Sequence, residues 1–515
     1  MATPLPLLVQ DLEPALNSQE FDALILISPN GLSTHAALAA HLDKHAAIDQ
    51  RLGQEAVLVA AGEVPGNRLI SVPAGDVEWD YADVRHFGDA AKQGVLMAKR
   101  AGAQRPLLML EGVPDTLAFQ HALATSFLAA TQALWQPLEA RETLDEQAIE
   151  PVQHIGLVDV HQELDLAWVN AVSQGLRVAR DLCGTEPERM APPKFAEYCE
   201  QAFAGTDVKV TVRSDYAQLQ QDYPLLCAVA RASMGVERHH PRVIRLEYTG
   251  EGPIEKTLLF SGKGIVYDTG GADLKTDGHM AGMSRDKGGA AGVAGFVKAV
   301  AQYKPKGLKV IAEIAAVRNS IGEDAFVTDE IIKARTGVRV RIGNTDAEGR
   351  LVMADLLAQL KDEALDEVNP ELFTVATLTG HAARAVGPYT ALVENGPARA
   401  AQVARNFADN GELYGDPSEV SRSRREDWNF VKPRTSADDL LSSNNAASAV
   451  TSRGHQFPMA FLAIASGLDK HGSKAEKPLP YMHIDIAGSG VEHGDWQHDS
   501  PTGVPVIALA ATYMK

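Results

Sequence analysis

Between residues 208 and 378, short apolar runs alternate with helical stretches, and this alternation restricts the chain to an α/β fold built on a largely parallel or mixed sheet. The runs are VKVTV at 208–212, VIRLEY at 243–248, TLLFS at 257–261, LKVIAEIAA at 308–316, GVRVRI at 337–342 and FTVATL at 373–378. A similar pattern earlier in the chain, with ALILIS at 23–28, RPLLMLEG at 105–112 and HIGLVDV at 154–160, predicts a smaller α/β domain over residues 1–160. The helical stretch at 117–134 of that domain carries no cluster of His, Asp or Glu, so the domain is read as non-catalytic. At 515 residues the chain exceeds what one hydrophobic core usually supports, which fits the same division.

Residues 161–185 are expected to link the two domains. Leu164, Trp168, Val172, Leu176, Ala179 and Leu182 share one face of a single amphipathic helix there. The prolines of GTEPERMAPPKF then turn the chain before a helix starts near Pro193. The larger domain, 186–515, is expected to hold a central mixed sheet flanked by helices, with a long polar loop at 421–448.

Charge and cysteine usage narrow the function. Lys and Arg total 48 against 67 Asp and Glu, and a net charge of -19 without any basic run argues against nucleic acid as a partner. Cys183, Cys199 and Cys227 show no metal-type spacing and suit a reducing compartment. The stretch MATPLPLLVQDLEPAL has no basic segment followed by an apolar core, and no stretch reaches the roughly 18 apolar residues of a membrane span. The expectation is a cytoplasmic protein with no membrane partner.

Two segments carry the chemistry. The first, SGKGIVYDTGGADLKTDGHMAGMSRDKGGAAG at 261–292, sets Lys263, Asp268, Lys275, Asp277 and Asp286 among glycines directly after an apolar strand. Glycine backbone permits close approach of an ion or substrate; the same composition also suits a solvated loop with surface ion pairs. It lacks the GxxxxGK[ST] spacing of a phosphate loop. The second, NTDAEGRL at 344–351, precedes a helical stretch. Asp346 and Glu348 converge only in a turn or an extended chain, because positions two apart diverge on a helix. Carboxylates gathered at one point repel unless cations lie between them; read blandly, the octapeptide is a capped helix entry with Arg350 as an incidental ion-pair partner.

Together the two segments resemble the leucyl aminopeptidase (cytosol aminopeptidase) family, whose signature is NTDAEGRL preceded by GKG, DxGG, K and DxGGAA. Here these are Gly262, Lys263 and Gly264; Asp268, Gly270 and Gly271; Lys275; and Asp286 with Gly288, Gly289, Ala290 and Ala291. RDLCGTEPERMAP, TLTG at 377–380 and HIDIAG at 483–488 extend the likeness over most of 163–515, and before residue 160 it is weak. The resemblance implies a metal-dependent aminopeptidase that removes the N-terminal residue of a peptide through a metal-bridging hydroxide. Lys263, Asp268, Asp286 and Glu348 would ligate one divalent ion and Asp268, Asp346 and Glu348 the other, with Zn or Mn the expected metals about 3.5–4 Å apart. As a ligand Lys263 must be neutral, so a lowered pKa is expected of it. Lys275 would polarise the scissile carbonyl, and Arg350 would hold a bicarbonate-like anion that shuttles a proton. The substrate's free amino group would bind the more open metal, and the assembly would be a homohexamer.

The chain departs from the pattern in places that suggest a divergent branch. RNSIGEDAFVTDE at 318–330 puts Arg318 where the family has an acid and Val327 where it has a base, which reads as a swapped ion pair. His381 follows TLTG where a small residue is common, and AVTSRGHQFPMAFLAIAS at 449–466 replaces a glycine-rich stretch. Both segments, with Met283, border the family's side-chain pocket, so a leucine preference is not implied. His381 is read as a hydrogen-bonded wall residue, and His279, His483 and Asp485 as structural. No HExxH or GxSxG occurs. A DNA-binding or regulatory role, or a non-catalytic scaffold, is the alternative; the acidic balance opposes the first and the complete ligand set the second.

Overall fold

The computed structural model describes residues 4–160, 163–492 and 500–515. The chain forms two compact units, Met1–Arg177 with Asn410–Asp416, and Val178–Asp409 with Pro417–Lys515. The dividing point between Arg177 and Val178 falls inside helix Leu166–Gly184.

The first unit is built on β1 (Leu5–Val9), β2 (Ala23–Ser28), β3 (Val57–Ala60), β4 (Arg68–Pro73), β5 (Pro106–Leu110) and β6 (His154–Val158), in the order β1-β6-β5-β2-β4-β3. Only β3 runs antiparallel to its neighbour. Every residue of β2 is buried, as its unbroken apolar run requires of a strand covered on both faces. The stretch 117–134 is helical only from Ala122 to Leu134, after a short 3-10 turn at Leu117–Phe119.

The second unit contains β7 (Lys209–Arg213), β8 (Arg242–Thr249), β9 (Lys256–Asp268), β10 (Leu308–Asn319), β11 (Ile331–Lys333), β12 (Arg339–Arg341), β13 (Pro370–Ala376), β14 (Thr390–Glu394), β15 (Ser418–Val420), β16 (Leu440–Leu441) and β17 (Tyr481–Asp485). Eight of these form one mixed sheet in the order β15-β14-β17-β13-β9-β10-β8-β7. Its centre, β17, β13, β9 and β10, is parallel. The run at 337–342 does not join it; β12 lies in a separate three-stranded sheet with β11 and β16. The long loop expected at 421–448 holds helix Arg425–Phe430 and β16.

Strand β9 positions the rest. TLLFS was expected to end a strand before a glycine-rich loop, yet the strand runs on through SGKGIVYD to Asp268. Alternation sends successive side chains to opposite faces. Phe260 meets Phe296 of helix Gly288–Tyr303 at a ring distance of 5.5 Å. Ser261, one residue on, donates to Met353 O of helix Glu348–Ala364 at 3.3 Å. The two helices therefore cover opposite faces of the central strand.

The glycines of this region let the first helix lie unusually close. A Cβ on Gly262 would lie 2.9 Å from Ala290 Cα, and one on Gly289 would lie 2.1 Å from Val375 O of β13. Because the obstacle at Gly289 is backbone, no rotamer change relieves it. Gly289→Ala is expected to destabilise the protein by about 2–3 kcal/mol or more, the upper range of overpacking, read as a lowered urea midpoint; an unchanged midpoint would show that the helix can shift freely.

Pairing between β9 and β10 is interrupted once. Ile265 faces Val317, but Tyr267 faces Arg318, so β9 carries one extra residue at Val266. A bulge of this kind moves the two-residue alternation by one. It turns Asp268 to the face that Lys263 and Ile265 occupy.

Candidate metal centre

Lys263 leaves the middle of β9 toward the start of helix Glu348–Ala364, and Gly349 makes room for it: a Cβ there would lie 2.6 Å from the lysine Cδ and Cε. Its Nζ lies 2.8 Å from Asp286 Oδ1 and 2.9 Å from Glu348 Oε1, and donates to Thr377 O at 3.0 Å. Asp286 stands just before helix Gly288–Tyr303, and Glu348 is the first residue of its helix. Asp268 ends β9. One carboxylate oxygen from each of Asp268, Asp346 and Glu348 lies within 4.8 Å of the others.

Lys275 enters from the loop after β9. Its Nζ lies 2.9 Å from Asp268 Oδ2 and also pairs with Asp346 Oδ1. Two segments some seventy residues apart are locked together beside it: Thr345 Oγ1 donates to Gly270 O at 2.7 Å, Asp273 N donates to Thr345 Oγ1 at 2.7 Å, and Thr345 N donates to Asp273 Oδ2 at 2.7 Å. Asp268 is oriented through Oδ1, which accepts from Gly270 N at 2.9 Å and Asn319 Nδ2 at 2.8 Å. Thr377 Oγ1 donates to Asp286 Oδ1 at 2.8 Å.

The cluster holds more negative charge than its lysines balance. Burial, with Glu348 and Asp268 beside it, raises the Asp286 carboxyl well above its usual range despite Lys263. Burial and the charges of Asp268 and Glu348 push Asp346 up to about 7 against the pull of Lys275. For Lys263, burial favours the neutral amine, but Asp286, Glu348 and Asp268 outweigh it and the pKa rises. With protein groups alone around it, Lys263 is the counter-ion of the cluster; the lowering expected of a ligand is the effect of two neighbouring dications.

Asp286 Oδ2 and Glu348 Oε2 are buried and have no hydrogen-bond partner among the described residues. Orphaned carboxylate oxygens are costly in a protein interior. They suit the hard cations that such donors bind, so the residues fit a metal site. A cavity of about 760 Å³ opens beside them, lined on one side by Lys263, Asp268, Lys275, Asp286 and Asp346 and on another by Met283, Gly380, Ser448, Ala449 and Ile486. That size is typical of a small-molecule site.

Other residues singled out in the sequence fall differently. Arg350 is not among the cavity-lining residues; its guanidinium lies 5.0 Å from the Phe457 ring centroid, and NH1 donates to Ser442 O at 2.7 Å. Burial pulls its pKa down to about 10, against Glu348 and Asp485. His279 lines the cavity. His483 Nδ1 lies 2.8 Å from Thr374 Oγ1, and Asp485 accepts from Thr379 Oγ1 at 2.6 Å and Leu378 N at 3.1 Å. His381 is hydrogen-bonded to His455. Arg318 NH1 donates to Glu188 Oε1 at 2.9 Å, and Val327 is exposed.

Asn319, Thr345, Thr377 and Asp273 are absent from the sequence-predicted set. Thr345 lies inside the octapeptide and Asp273 between its flanking motifs, so proximity could have flagged both. Asn319, at the end of β10, and Thr377, just after β13, reach the site because those strands flank β9.

Fold and cluster together are those of an α/β protein with a multi-carboxylate site at the strand ends of its sheet. The chain belongs to the cytosol aminopeptidase family, whose catalytic domain matches residues 177–510. A Caenorhabditis elegans relative that carries an aminopeptidase name is 43% identical over 460 residues, covering 89% of this chain and 87% of that one. A chain of Thermosynechococcus vestitus named for cytosol aminopeptidase is 28% identical over 418 residues, 80% of this chain and 77% of the relative. Among solved structures, a mutant tomato leucine aminopeptidase superposes with a TM-score of 0.78 at 17% identity, over 100% of this chain and 97% of that one. A bottromycin maturation enzyme in complex with Mn gives 0.74 at 22% identity, over 96% and 99%. No helix among the described residues is long and apolar enough to cross a membrane.

Proposed function

We propose that the protein is a metal-dependent aminopeptidase that hydrolyses the N-terminal residue from peptides. The observation that carries this reading is the convergence of Asp268, Asp346 and Glu348, from two separate segments, beside a substrate-sized cavity. Lys263, Asp268, Asp286 and Glu348 would hold one divalent ion and Asp268, Asp346 and Glu348 a second, Zn or Mn being suited to the mixed oxygen and nitrogen donors. Such ions supply Lewis acidity and lower the pKa of water.

The chain's own groups supply the rest. Asn319 and Gly270 N fix one oxygen of Asp268, and Thr377 fixes one of Asp286, so the carboxylates are held before anything binds. Lys275 brings a positive charge to the cavity wall, where it stabilises the negative charge that grows on a scissile carbonyl oxygen. Arg350 is assigned a bicarbonate-like anion; its buried Nε has no hydrogen-bond partner among the described residues. The unit before Val178 carries none of these residues and is proposed to be non-catalytic. A cytoplasmic homohexamer completes the reading.

Purified protein supplied with Mn, Zn or Co is expected to release free amino acid from unblocked dipeptides and to spare N-acetylated ones. Silence under every metal would overturn the assignment.

A further inference from the structure

A second polar constellation in the catalytic unit lies apart from the carboxylates. His381, in helix Gly380–Val386, meets His455 with the two Nδ1 atoms 2.7 Å apart. Nε2 of His455 is 2.6 Å from Ser421 Oγ, and Gln456 Nε2 donates to that hydroxyl at 2.9 Å. Two proton arrangements with both rings neutral satisfy every link. In the first, Gln456 donates to Ser421, the Ser421 hydroxyl donates to His455 Nε2, and His455 Nδ1 donates to His381 Nδ1. In the second, His381 Nδ1 donates to His455 Nδ1 and His455 Nε2 donates to Ser421 Oγ, which also accepts from Gln456. Burial, then Arg384 and Arg453, lowers the pKa of His381; burial, then His381 and Arg453, lowers that of His455 to about 4 against Asp427.

The three residues come from three places: the segment after β15, the helix after β13, and the turn before helix Phe457–Ser466. What they enclose is one wall of the cavity. Gly380, Ser448 and Ala449 line it, and Gly380 N donates to Ser448 Oγ at 3.0 Å. Arg384 NH1 donates to Ala449 O at 3.2 Å. Gly454 is wedged between the wall and the relay: a Cβ there would lie 2.5 Å from Ser448 O and 2.7 Å from His381 Cβ. Arg453, at φ 58, adopts a backbone conformation unfavourable for a side-chain-bearing residue and is held by Asp427 at 2.5 and 2.8 Å. A displacement of either histidine therefore passes through Gly454 to Ser448 and Ala449.

We infer that Ser421, His455 and His381 form a positioning relay that fixes the Ser448–Ala449 wall and thereby sets which N-terminal side chains the cavity accepts. The inference rests on the aminopeptidase reading. None of the three residues lines the cavity, so they act through the wall and not by touching substrate.

The test compares dipeptides that begin with Leu, Phe or Ala, using the metal-loaded wild type and the variants His381→Ala, Ser421→Ala and His381→Asn. In the two alanine variants, kcat/KM for the Leu and Phe substrates is expected to fall about tenfold through KM, with kcat and the Ala substrate changed less than about twofold, the scale of an altered apolar pocket. Metal content stays at the wild-type level. His381→Asn, whose amide can accept in place of Nδ1, recovers most of the loss. Equal effects on all three substrates, no effect, or failure of Asn to rescue would overturn the relay. If His381→Ala does not fold, Ser421→Ala and His381→Asn still decide the question. A wild type inactive on every dipeptide overturns the aminopeptidase reading and the relay with it, whereas an active wild type whose variants keep its selectivity overturns the relay alone.

Discussion

Glu348→Ala is expected to yield a folded protein that no longer retains its metal and no longer turns over peptide. Glu348 is 1% exposed, places Oε1 2.9 Å from Lys263, and leaves Oε2 without a partner among the described residues. It belongs to both proposed ligand sets, so its loss weakens both positions at once. Lys263 keeps Asp286 at 2.8 Å, and the repulsion among the remaining carboxylates falls, so the fold should survive. Metal Lewis acidity is worth several kcal/mol, so turnover should drop by about a thousandfold or more. Metal analysis of the purified variant beside a dipeptide assay checks this. Full metal occupancy would remove Glu348 from the ligand set.

Lys275→Ala should separate binding from catalysis. Lys275 pairs with Asp268 and Asp346 through its ammonium group, which as a cation donates hydrogen bonds and does not ligate. Its removal leaves every proposed ligand in place, and metal content should be unchanged. The lost stabilisation of a developing oxyanion typically costs about 10²–10³ in kcat, with KM moving far less. Loss of metal in this variant would instead make Lys275 a structural counter-ion of the carboxylates.

The α/β class and the central strands were legible because periodicity in apolar residues survives whatever the tertiary context. The limits of β9 were not. Glycines in SGKGIVYD signal a loop to local reasoning, but here they are the positions where helix Gly288–Tyr303 and β10 approach the strand, a fact of tertiary packing. Lys263, Asp268, Asp286, Asp346 and Glu348 were named from motifs, and the structure brings their side chains together. Arg350 shows the limit of that approach: its place in the octapeptide is fixed by sequence, but the direction of its side chain is decided by Phe457 and Ser442, about a hundred residues away. The link from His381 to His455 and Ser421 has the same character. His381 stands out in sequence as a departure after TLTG, but His455 and Ser421 do not, and only the meeting of three distant segments gives them a joint role.

The bulge at Val266 shows that residue count, as well as residue type, is specified in this strand. Deleting that one valine would restore regular pairing and keep Asp268 on the Lys263 face, whereas inserting one residue between them without a second bulge would turn the strand's last carboxylate to the opposite side of the sheet. A chain lengthened in that way would satisfy any inventory of required residues while lacking the constellation itself.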